Sequence, residues 1–151
     1  MRTGLSVGDV QTLEFVVPAT KTIRHLYPES EDYQRMPEVF ATGFMVGLLE
    51  WSAILALRPY LEDGEGSVGT RVDISHTAPT PPGAKLIVTA CCTKIEDNYI
   101  EWDVEARDED GDVAASGRHG RHIIDIERFL HRVDAKTKRL VGRDVAAAQP
   151  A

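Results

Sequence analysis

The chain has 151 residues, of which 42% are hydrophobic and 27% are charged, and its formal net charge is −7 at pH 7. This length and composition predict a single folded domain, and they exclude a disordered chain, a collagen and a disulfide-dense mini-protein. The excess of acidic residues argues against a nonspecific nucleic-acid binder, which needs a basic surface. An anionic small ligand would need a local group of cations.

The chain begins without an apolar run, so we expect no signal peptide and a cytoplasmic protein. The loose alternation of residues 11–17 predicts a first strand, which Pro18 ends. Residues 19–38 carry many charges and prolines among scattered large side chains. A connection of this length is typical of a lid or a binding loop.

Residues 38–58 are the most apolar stretch, and Glu50 is the one charged residue between Ala41 and Leu57. The stretch is too short and too interrupted to favour a membrane span, which needs about 20 apolar residues. Because apolar residues lie almost all round, we expect a helix that is buried rather than at the surface.

Beyond the helix the pattern changes to period two. It predicts four strands joined by short turns, at residues 67–78, 84–95, 99–106 and 112–124. In the first of these, strict alternation places one set of residues on the inner face: Val68, Thr70, Val72, Ile74, His76 and Ala78. Residues 125–138 then predict a helix. We therefore expect one domain over residues 1–138 and a flexible tail over residues 139–151.

One apolar helix beside an antiparallel meander predicts an α+β architecture. A single small sheet hides such a helix only if it curls around it, which is the hotdog fold, with the lid segment between the first strand and the helix. An edge strand is commonly covered by a second copy, so we expect a homodimer.

Glu50 and His76 are the first candidates for chemistry. A carboxylate in an apolar helix either reaches a narrow polar stripe at the surface or is desolvated at a functional site. A histidine on an apolar strand face is either a satisfied core residue or a site residue. Because the helix packs on the inner face of the sheet, the two side chains could approach each other, as general acid–base or nucleophilic chemistry requires.

Thr42 and Arg121 are further candidates. Thr42 near the helix start either caps the helix or hydrogen-bonds the Glu50 carboxylate or a substrate. Arg121 faces inward by alternation, and it either forms an ion pair within the protein or binds an anionic or polar ligand. His25 and His119 have no comparable context, and we interpret both as surface or loop histidines.

The cysteines and the known short motifs point to no further chemistry. Cys91 and Cys92 are adjacent, so they cannot easily form a disulfide with each other, and free thiols suit a reducing compartment. The sequence has no Cys/His metal spacing, no phosphate-binding loop and no serine nucleophile elbow. We therefore expect neither a metal nor another cofactor, and no nucleic-acid or membrane partner.

Four blocks of sequence carry a resemblance to a known family. They are FVVPATKTIRHLYPES, EVFATGFMVGLLEW, YLEDGEGSVGTRVDISHTAPTPPG and SGRHGRHIIDIERF. Together, in this order, they are similar to the fluoroacetyl-CoA thioesterases of fluoroacetate-producing actinomycetes, over roughly residues 5 to 130. The resemblance implies a hotdog homodimer that hydrolyses an acyl-CoA thioester and detoxifies fluoroacetyl-CoA.

The resemblance also implies roles for single residues. The family's catalytic threonine, glutamate and histidine fall on Thr42, Glu50 and His76, and its fluorine-side glycine and arginine fall on Gly69 and Arg121. In the implied mechanism, Glu50 is held by Thr42 and attacks the thioester carbonyl or activates water. His76 acts as a base toward the substrate α-carbon and assists departure of the thiolate, while backbone N–H groups near Gly69 hold the oxyanion.

The lid departs from the family pattern. The family carries phenylalanines that close over the acyl group, whereas this chain has Tyr33 and Met36 there, with Ile23 and Leu26 nearby. Methionine is more flexible than phenylalanine, so the sequence supports thioesterase activity more firmly than strict selectivity for fluoroacetyl over acetyl.

Alternative functions remain at this point. They are a general short-chain acyl-CoA thioesterase, an enoyl-CoA hydratase, whose usual segment we do not find, and a non-catalytic module that binds acyl-CoA. CoA is strongly anionic, and an acidic protein must gather cations at the pocket mouth to bind it. The candidates are Lys85, Lys94, Arg118, Arg121 and Arg128.

Overall fold

The computed structural model describes residues 1–147, which form one antiparallel sheet and four helices. The strands are β1 (Val10–Val16), β2 (Glu65–His76), β3 (Lys85–Glu96), β4 (Tyr99–Asp108) and β5 (Val113–Asp125). The helices are α1 (Ile23–Leu26), α2 (Glu31–Gln34), α3 (Thr42–Leu57) and α4 (Ile126–Ala147). The four strands predicted after α3 lie within two residues of their expected bounds.

The sheet has the strand order β1-β3-β4-β5-β2, with every neighbouring pair antiparallel. The long helix α3 packs against one face of this sheet. This arrangement confirms the predicted α+β class and the hotdog fold. The two outer positions of the sheet are occupied by β1 and β2.

The core lies between α3 and the three central strands. One face of α3 is fully buried, at Met45, Leu48, Leu49, Ala53 and Leu57. It meets inward side chains of β3, β4 and β5, among them Leu86, Val88, Ile100, Trp102 and Ile123. Burial of each large apolar side chain of this kind stabilises the fold by roughly 1.5–3 kcal/mol.

The expectation that α3 is buried on all sides is wrong for a single chain. Gly43, Gly47, Trp51 and Ile54 form an exposed apolar face, and Trp51 and Ile54 are 45% and 36% exposed. A five-stranded sheet covers only the opposite face of the helix. The helix also begins at Thr42 rather than at residue 38, because Phe40 is held in a bridge with Thr22 and Ala41 is extended.

The predicted lid, residues 19–38, contains short helices rather than an irregular loop. After a single helical turn at Ala19–Lys21, it folds into α1 and α2. The bridge between Thr22 and Phe40 ties its two ends together. The rings of Tyr27 and Tyr33 pack edge to face, with their centroids 5.2 Å apart.

A bulge in β2 changes the predicted faces of that strand. The register with β5 shifts between Gly69 and Arg71. Thr70 and Arg71 therefore both point to the outer face, where Thr70 Oγ1 lies 2.8 Å from Nδ1 of His122 and Arg71 lies 3.1 Å from Glu101. Strict alternation placed Thr70 on the same face as His76, and that prediction was wrong. The bulge brings Gly69 to the inner face instead.

The C-terminal helix is longer than predicted. It was expected over residues 125–138, whereas α4 continues through Ala147. The predicted boundary at residue 138 therefore does not coincide with the end of an element. The rest of the predicted tail, residues 148–151, lies outside the described residues. No helix within residues 1–147 has both the length and the apolar character that crossing a membrane requires.

Candidate functional site

Thr42 and His76 meet at the start of α3. Thr42 is the first residue of α3 and His76 is the last residue of β2. Thr42 Oγ1 lies 3.0 Å from Nδ1 of His76, within hydrogen-bond distance. Nε2 of His76 is buried and has no hydrogen-bond partner among the described residues. Nε2 is therefore the ring nitrogen of His76 that makes no hydrogen bond within the described residues.

The environment of His76 favours the neutral imidazole. Burial lowers the pKa of His76 from its ordinary value of 6.5, because the charged form is poorly solvated there. A neutral imidazole can accept a proton at one ring nitrogen while the other is bonded. His76 is thus prepared to act as a base near neutral pH.

Glu50 does not contact Thr42 within one chain. The two residues are eight positions apart on α3, which corresponds to about 12 Å along the helix axis. Oε1 of Glu50 lies instead 2.5 Å from Nη1 of Arg121. The implied hydrogen bond between Thr42 and Glu50 is therefore wrong for a single protomer, because the rise of the helix separates the two side chains.

Arg121 on β5 holds the carboxylate of Glu50 on α3. Arg121 is only 3% exposed. Its Nε donates to Oγ of Ser67 at 3.0 Å, and its Nη2 donates to the carbonyl oxygen of Ser67 at 2.9 Å. Three separate contacts thus orient the guanidinium on the inner face. The sequence left open an ion pair or a ligand site, and the structure has an ion pair with another candidate site residue.

Gly69 leaves the space that the Glu50 carboxylate occupies. A Cβ atom built on Gly69 would lie 2.6 Å from Oε1 of Glu50 and 3.1 Å from Cε1 of His119. No side chain fits there unless the carboxylate moves. The bulge in β2 and the glycine together allow the sheet to approach Glu50 this closely.

His119 also belongs to this group, and the sequence analysis missed it. It is fully buried, with Nε2 at 3.2 Å from Nη1 of Arg121 and 3.9 Å from Oε1 of Glu50. The interpretation as a surface histidine was wrong. Its position two residues before Arg121 in one strand was the available signal, because such residues share a face.

A cavity of about 360 Å³ lies between the lid and the start of α3. Its walls include the four lid residues singled out from the sequence, Ile23, Leu26, Tyr33 and Met36, together with Asp32, Ala41, Thr42 and Gly43. Leu26 packs closely on Gly43, where an added Cβ would lie 2.9 Å from Cδ2 of Leu26. Thr42 is thus at the wall of an enclosure of mostly apolar character.

The sequence and the fold match one family. A family model for the fluoroacetyl-CoA-specific thioesterase matches residues 22–127. A curated fluoroacetyl-CoA thioesterase from Streptantibioticus cattleyicolor is 50% identical over 137 residues, which is 91% of this chain and 98% of that protein. The chain belongs to the fluoroacetyl-CoA-specific thioesterase family.

Solved structures of the fluoroacetyl-CoA thioesterase FlK share the fold. One is 51% identical, covers 89% of this chain and 98% of that chain, and superposes with a TM-score of 0.86. A mutant of that enzyme in complex with fluoroacetate and CoA is 51% identical, with 83% of this chain and 99% of that chain covered and a TM-score of 0.80. The family model ends at the second residue of α4, so most of that helix lies beyond the matched region.

In this family member, most of the predicted CoA-binding cations are paired with carboxylates. Lys85 lies 3.8 Å from Glu109, Lys94 lies 2.9 Å from Glu96, and Arg118 lies 3.5 Å from Asp103. Arg121 is paired with Glu50. Four of the five candidates therefore already have a carboxylate within 4.0 Å, and only Arg128 lacks such a partner among the described residues.

Lys21 is the unpaired cation of the lid. Among the Lys and Arg of residues 1–125, only Lys21 and Arg58 have no carboxylate within 4.0 Å in the described structure. Nζ of Lys21 lies 4.7 Å from the ring centroid of Phe44. Lys21 lines a second cavity of about 340 Å³, which shares Gly43 with the lid cavity. Arg58 follows the opposite end of α3.

Metal ligands are not grouped in this thioesterase fold. Within the described residues, no cluster of three or more His, Cys, Asp or Glu side chains is arranged to hold a metal ion.

Proposed function

We propose that this protein hydrolyses fluoroacetyl-CoA to fluoroacetate and CoA. The observation that carries the proposal is the contact of His76 with Thr42, which lines the lid cavity, in a chain of the fluoroacetyl-CoA-specific thioesterase family. A small cavity beside a hydroxyl and a neutral imidazole suits a short acyl group. Both cysteines are free thiols, which is compatible with the proposed action in the cytoplasm.

The position of Glu50 supports a site made from two copies of the chain. Within one chain, Glu50 is too far from Thr42 for both to touch an acyl group of two carbons. The exposed apolar face of α3 and the outer strand β2 offer surfaces that a second copy would cover. We therefore place Thr42 and His76 of one protomer opposite Glu50 of the partner subunit in a homodimer.

The residues then have separate roles in hydrolysis. The partner's Glu50 attacks the thioester carbonyl carbon, or removes a proton from the water that attacks it. Electrons move onto the carbonyl oxygen and then expel the CoA thiolate. His76 protonates the departing sulfur, and it receives that proton either from the attacking water or from the substrate α-carbon, which fluorine acidifies. Direct attack by Glu50 gives an acyl anhydride, which water hydrolyses to fluoroacetate with return of the free carboxylate. Removal of the α-proton with loss of the thiolate gives a ketene, and addition of water restores the α-C–H bond and yields fluoroacetate. Backbone N–H groups near Gly69 stabilise the developing oxyanion.

The side chains of the lid affect the selectivity for fluoroacetyl-CoA over acetyl-CoA. Met36 is 47% exposed and Tyr33 is partly buried, and both line the cavity. Methionine is a more flexible side chain than an aromatic ring. Fluorine is nearly as small as hydrogen, and a pocket that reads size alone separates such substrates poorly. Selectivity for fluoroacetyl would therefore come from the polarised C–F and C–H bonds rather than from fit.

Side-by-side kinetics test the function. Release of free CoA is followed with fluoroacetyl-CoA and with acetyl-CoA, using the wild type, Glu50→Gln and His76→Ala. We expect a much higher kcat/KM for fluoroacetyl-CoA and a loss of orders of magnitude in both variants. Equal values for the two thioesters would indicate a general short-chain thioesterase. No turnover of either one, with tight binding of both, would indicate a non-catalytic acyl-CoA binding module.

A further inference from the structure

His119 lies against the guanidinium that holds Glu50. It is fully buried on β5, two residues before Arg121. Its Nε2 is 3.2 Å from Nη1 of Arg121, and the same Nη1 is 2.5 Å from Oε1 of Glu50. One nitrogen of Arg121 therefore lies between the imidazole and the carboxylate.

The chemistry of arginine determines the form of this histidine. A guanidinium nitrogen only donates hydrogen bonds, because it does not lose its charge in proteins. At 3.2 Å, Nε2 of His119 must therefore accept the hydrogen bond from Arg121. An accepting Nε2 carries no proton, so the ring is neutral and its proton is on Nδ1.

We propose that His119 is a positioning residue for the hydrolysis proposed above. By accepting a hydrogen bond from Arg121, the neutral ring directs Nη1 toward Glu50 and fixes the carboxylate in the orientation that the reaction needs. His119 does not reach the acyl group itself. The proposal rests on the proposed function for its catalytic consequence, whereas the neutral state of His119 rests on its contact with Arg121.

The surroundings of His119 keep the ring neutral. The charged groups that face it are Glu50 from α3 and Arg121 from its own strand. Its direct neighbours on the two flanking strands, Val72 on β2 and Trp102 on β4, do not titrate. Burial is the largest cause of the lowered pKa of His119; Glu50 opposes this effect and Arg121 adds to it.

Protonation of His119 would break the arrangement. It would place a second cation and an N–H group against Nη1 of Arg121, where an acceptor is required. Arg121 would then turn away or draw Glu50 out of position. Displacement of a catalytic group by about 1 Å can cost about a hundredfold in rate, so the effect should appear in kcat.

Two substitutions separate positioning from packing. In His119→Gln, the side-chain oxygen occupies a place near that of Nε2 and still accepts from Arg121, but it does not titrate. In His119→Leu, the volume is similar and the acceptor is lost. We expect kcat on fluoroacetyl-CoA to fall about tenfold to a hundredfold in His119→Leu, with KM nearly unchanged, and to remain within about threefold of wild type in His119→Gln.

The pH profile and NMR complete the test. The His119→Gln variant should lose part of the decline of kcat at acidic pH. Long-range ¹H–¹⁵N spectra of the wild type at neutral pH should show a His119 ring protonated on Nδ1 only. A full kcat in folded His119→Leu, or a ring protonated on Nε2, would overturn the proposal. If the wild type hydrolyses no thioester, the proposed function fails, while the NMR result still decides whether His119 accepts from Arg121.

Discussion

Thr42 Oγ1 lies 3.0 Å from Nδ1 of His76, so that the first residue of α3 is joined to the last residue of β2. This contact lies beside the lid cavity, which Thr42 lines. It also determines which nitrogen of His76 remains available, because Nδ1 is engaged and Nε2 has no partner among the described residues. The base of the proposed reaction is therefore Nε2.

The Thr42 hydroxyl orients His76, and its loss should lower the rate. We expect Thr42→Val, which keeps the shape but removes the hydroxyl, to reduce kcat/KM on fluoroacetyl-CoA by about twofold to tenfold, since a single hydrogen bond contributes about 0.5–1.5 kcal/mol. Thr42→Ser keeps the hydroxyl and serves as the matched control. If Thr42→Val and Thr42→Ser show the same kcat/KM, the hydroxyl has no part in catalysis.

Gly69 makes room for the carboxylate of Glu50, so even a methyl group should disturb the site. In Gly69→Ala, the new Cβ would lie 2.6 Å from Oε1 of Glu50, and the carboxylate must move away from Arg121. We expect kcat to fall by about tenfold to a hundredfold while the thermal unfolding temperature changes little. Unaltered kinetics in Gly69→Ala would mean that the position of Glu50 is not critical.

Stability should depend on pH through the two buried histidines. Burial lowers the pKa of both His76 and His119 in the folded chain, whereas in the unfolded chain both titrate near the ordinary value of 6.5. Between these values the unfolded chain binds more protons, so the contribution of these two histidines to the free energy of unfolding falls as the pH falls below about 6.5.

Chemical denaturation at a fixed protein concentration measures this dependence. The difference in unfolding free energy between pH 7.5 and pH 5.5 should be smaller in His119→Gln than in the wild type, because one of the two groups no longer titrates. The same loss of stability in both proteins would show that His119 is protonated equally in the folded and unfolded chains.

Lys21 is the expected contact for the phosphates of CoA. It is the unpaired cation of the lid, and its cavity adjoins the one that Thr42 lines. We expect Lys21→Gln to raise KM for fluoroacetyl-CoA about tenfold and to leave kcat unchanged. A fluoroacetyl thioester of pantetheine, which lacks the nucleotide phosphates, should show no such difference.

Arg58→Gln is the control for Lys21, since Arg58 is equally unpaired but lies beyond the far end of α3. It should leave KM unaltered for both thioesters. An increase in KM that is equal in the two variants would indicate a general effect of net charge rather than a contact with CoA.

The sequence predicted most elements of the fold because their patterns are local. Alternation identified the strands, and the apolar run with its flanking prolines identified α3. The bulge at Thr70 was not predictable in this way, since it depends on pairing with β5, and it reversed the face of Gly69. The end of α4 was also missed, although no helix-ending residue lies between position 138 and Gly142.

The sequence predicted the positions of single site residues better than the contacts between them. Thr42 and His76 lie together, and Arg121 faces inward, as strand alternation indicated. The family resemblance implied that Thr42 is the hydrogen-bond partner of Glu50. The helical rise between the two residues makes that contact unattainable in one chain. His119 was overlooked because it was considered apart from Arg121, with which it shares a strand face.

A heterodimer of two inactive variants tests directly whether the catalytic site is assembled from two copies of the chain. Glu50→Gln and His76→Ala chains, carrying different affinity tags, are co-expressed, and the heterodimer is purified through both tags. It contains one site with native Thr42, His76 and partner Glu50, and one site that lacks both groups. We predict that this heterodimer hydrolyses fluoroacetyl-CoA at about half the wild-type rate, whereas each parent homodimer is nearly inactive. A heterodimer as inactive as its parents would contradict the account.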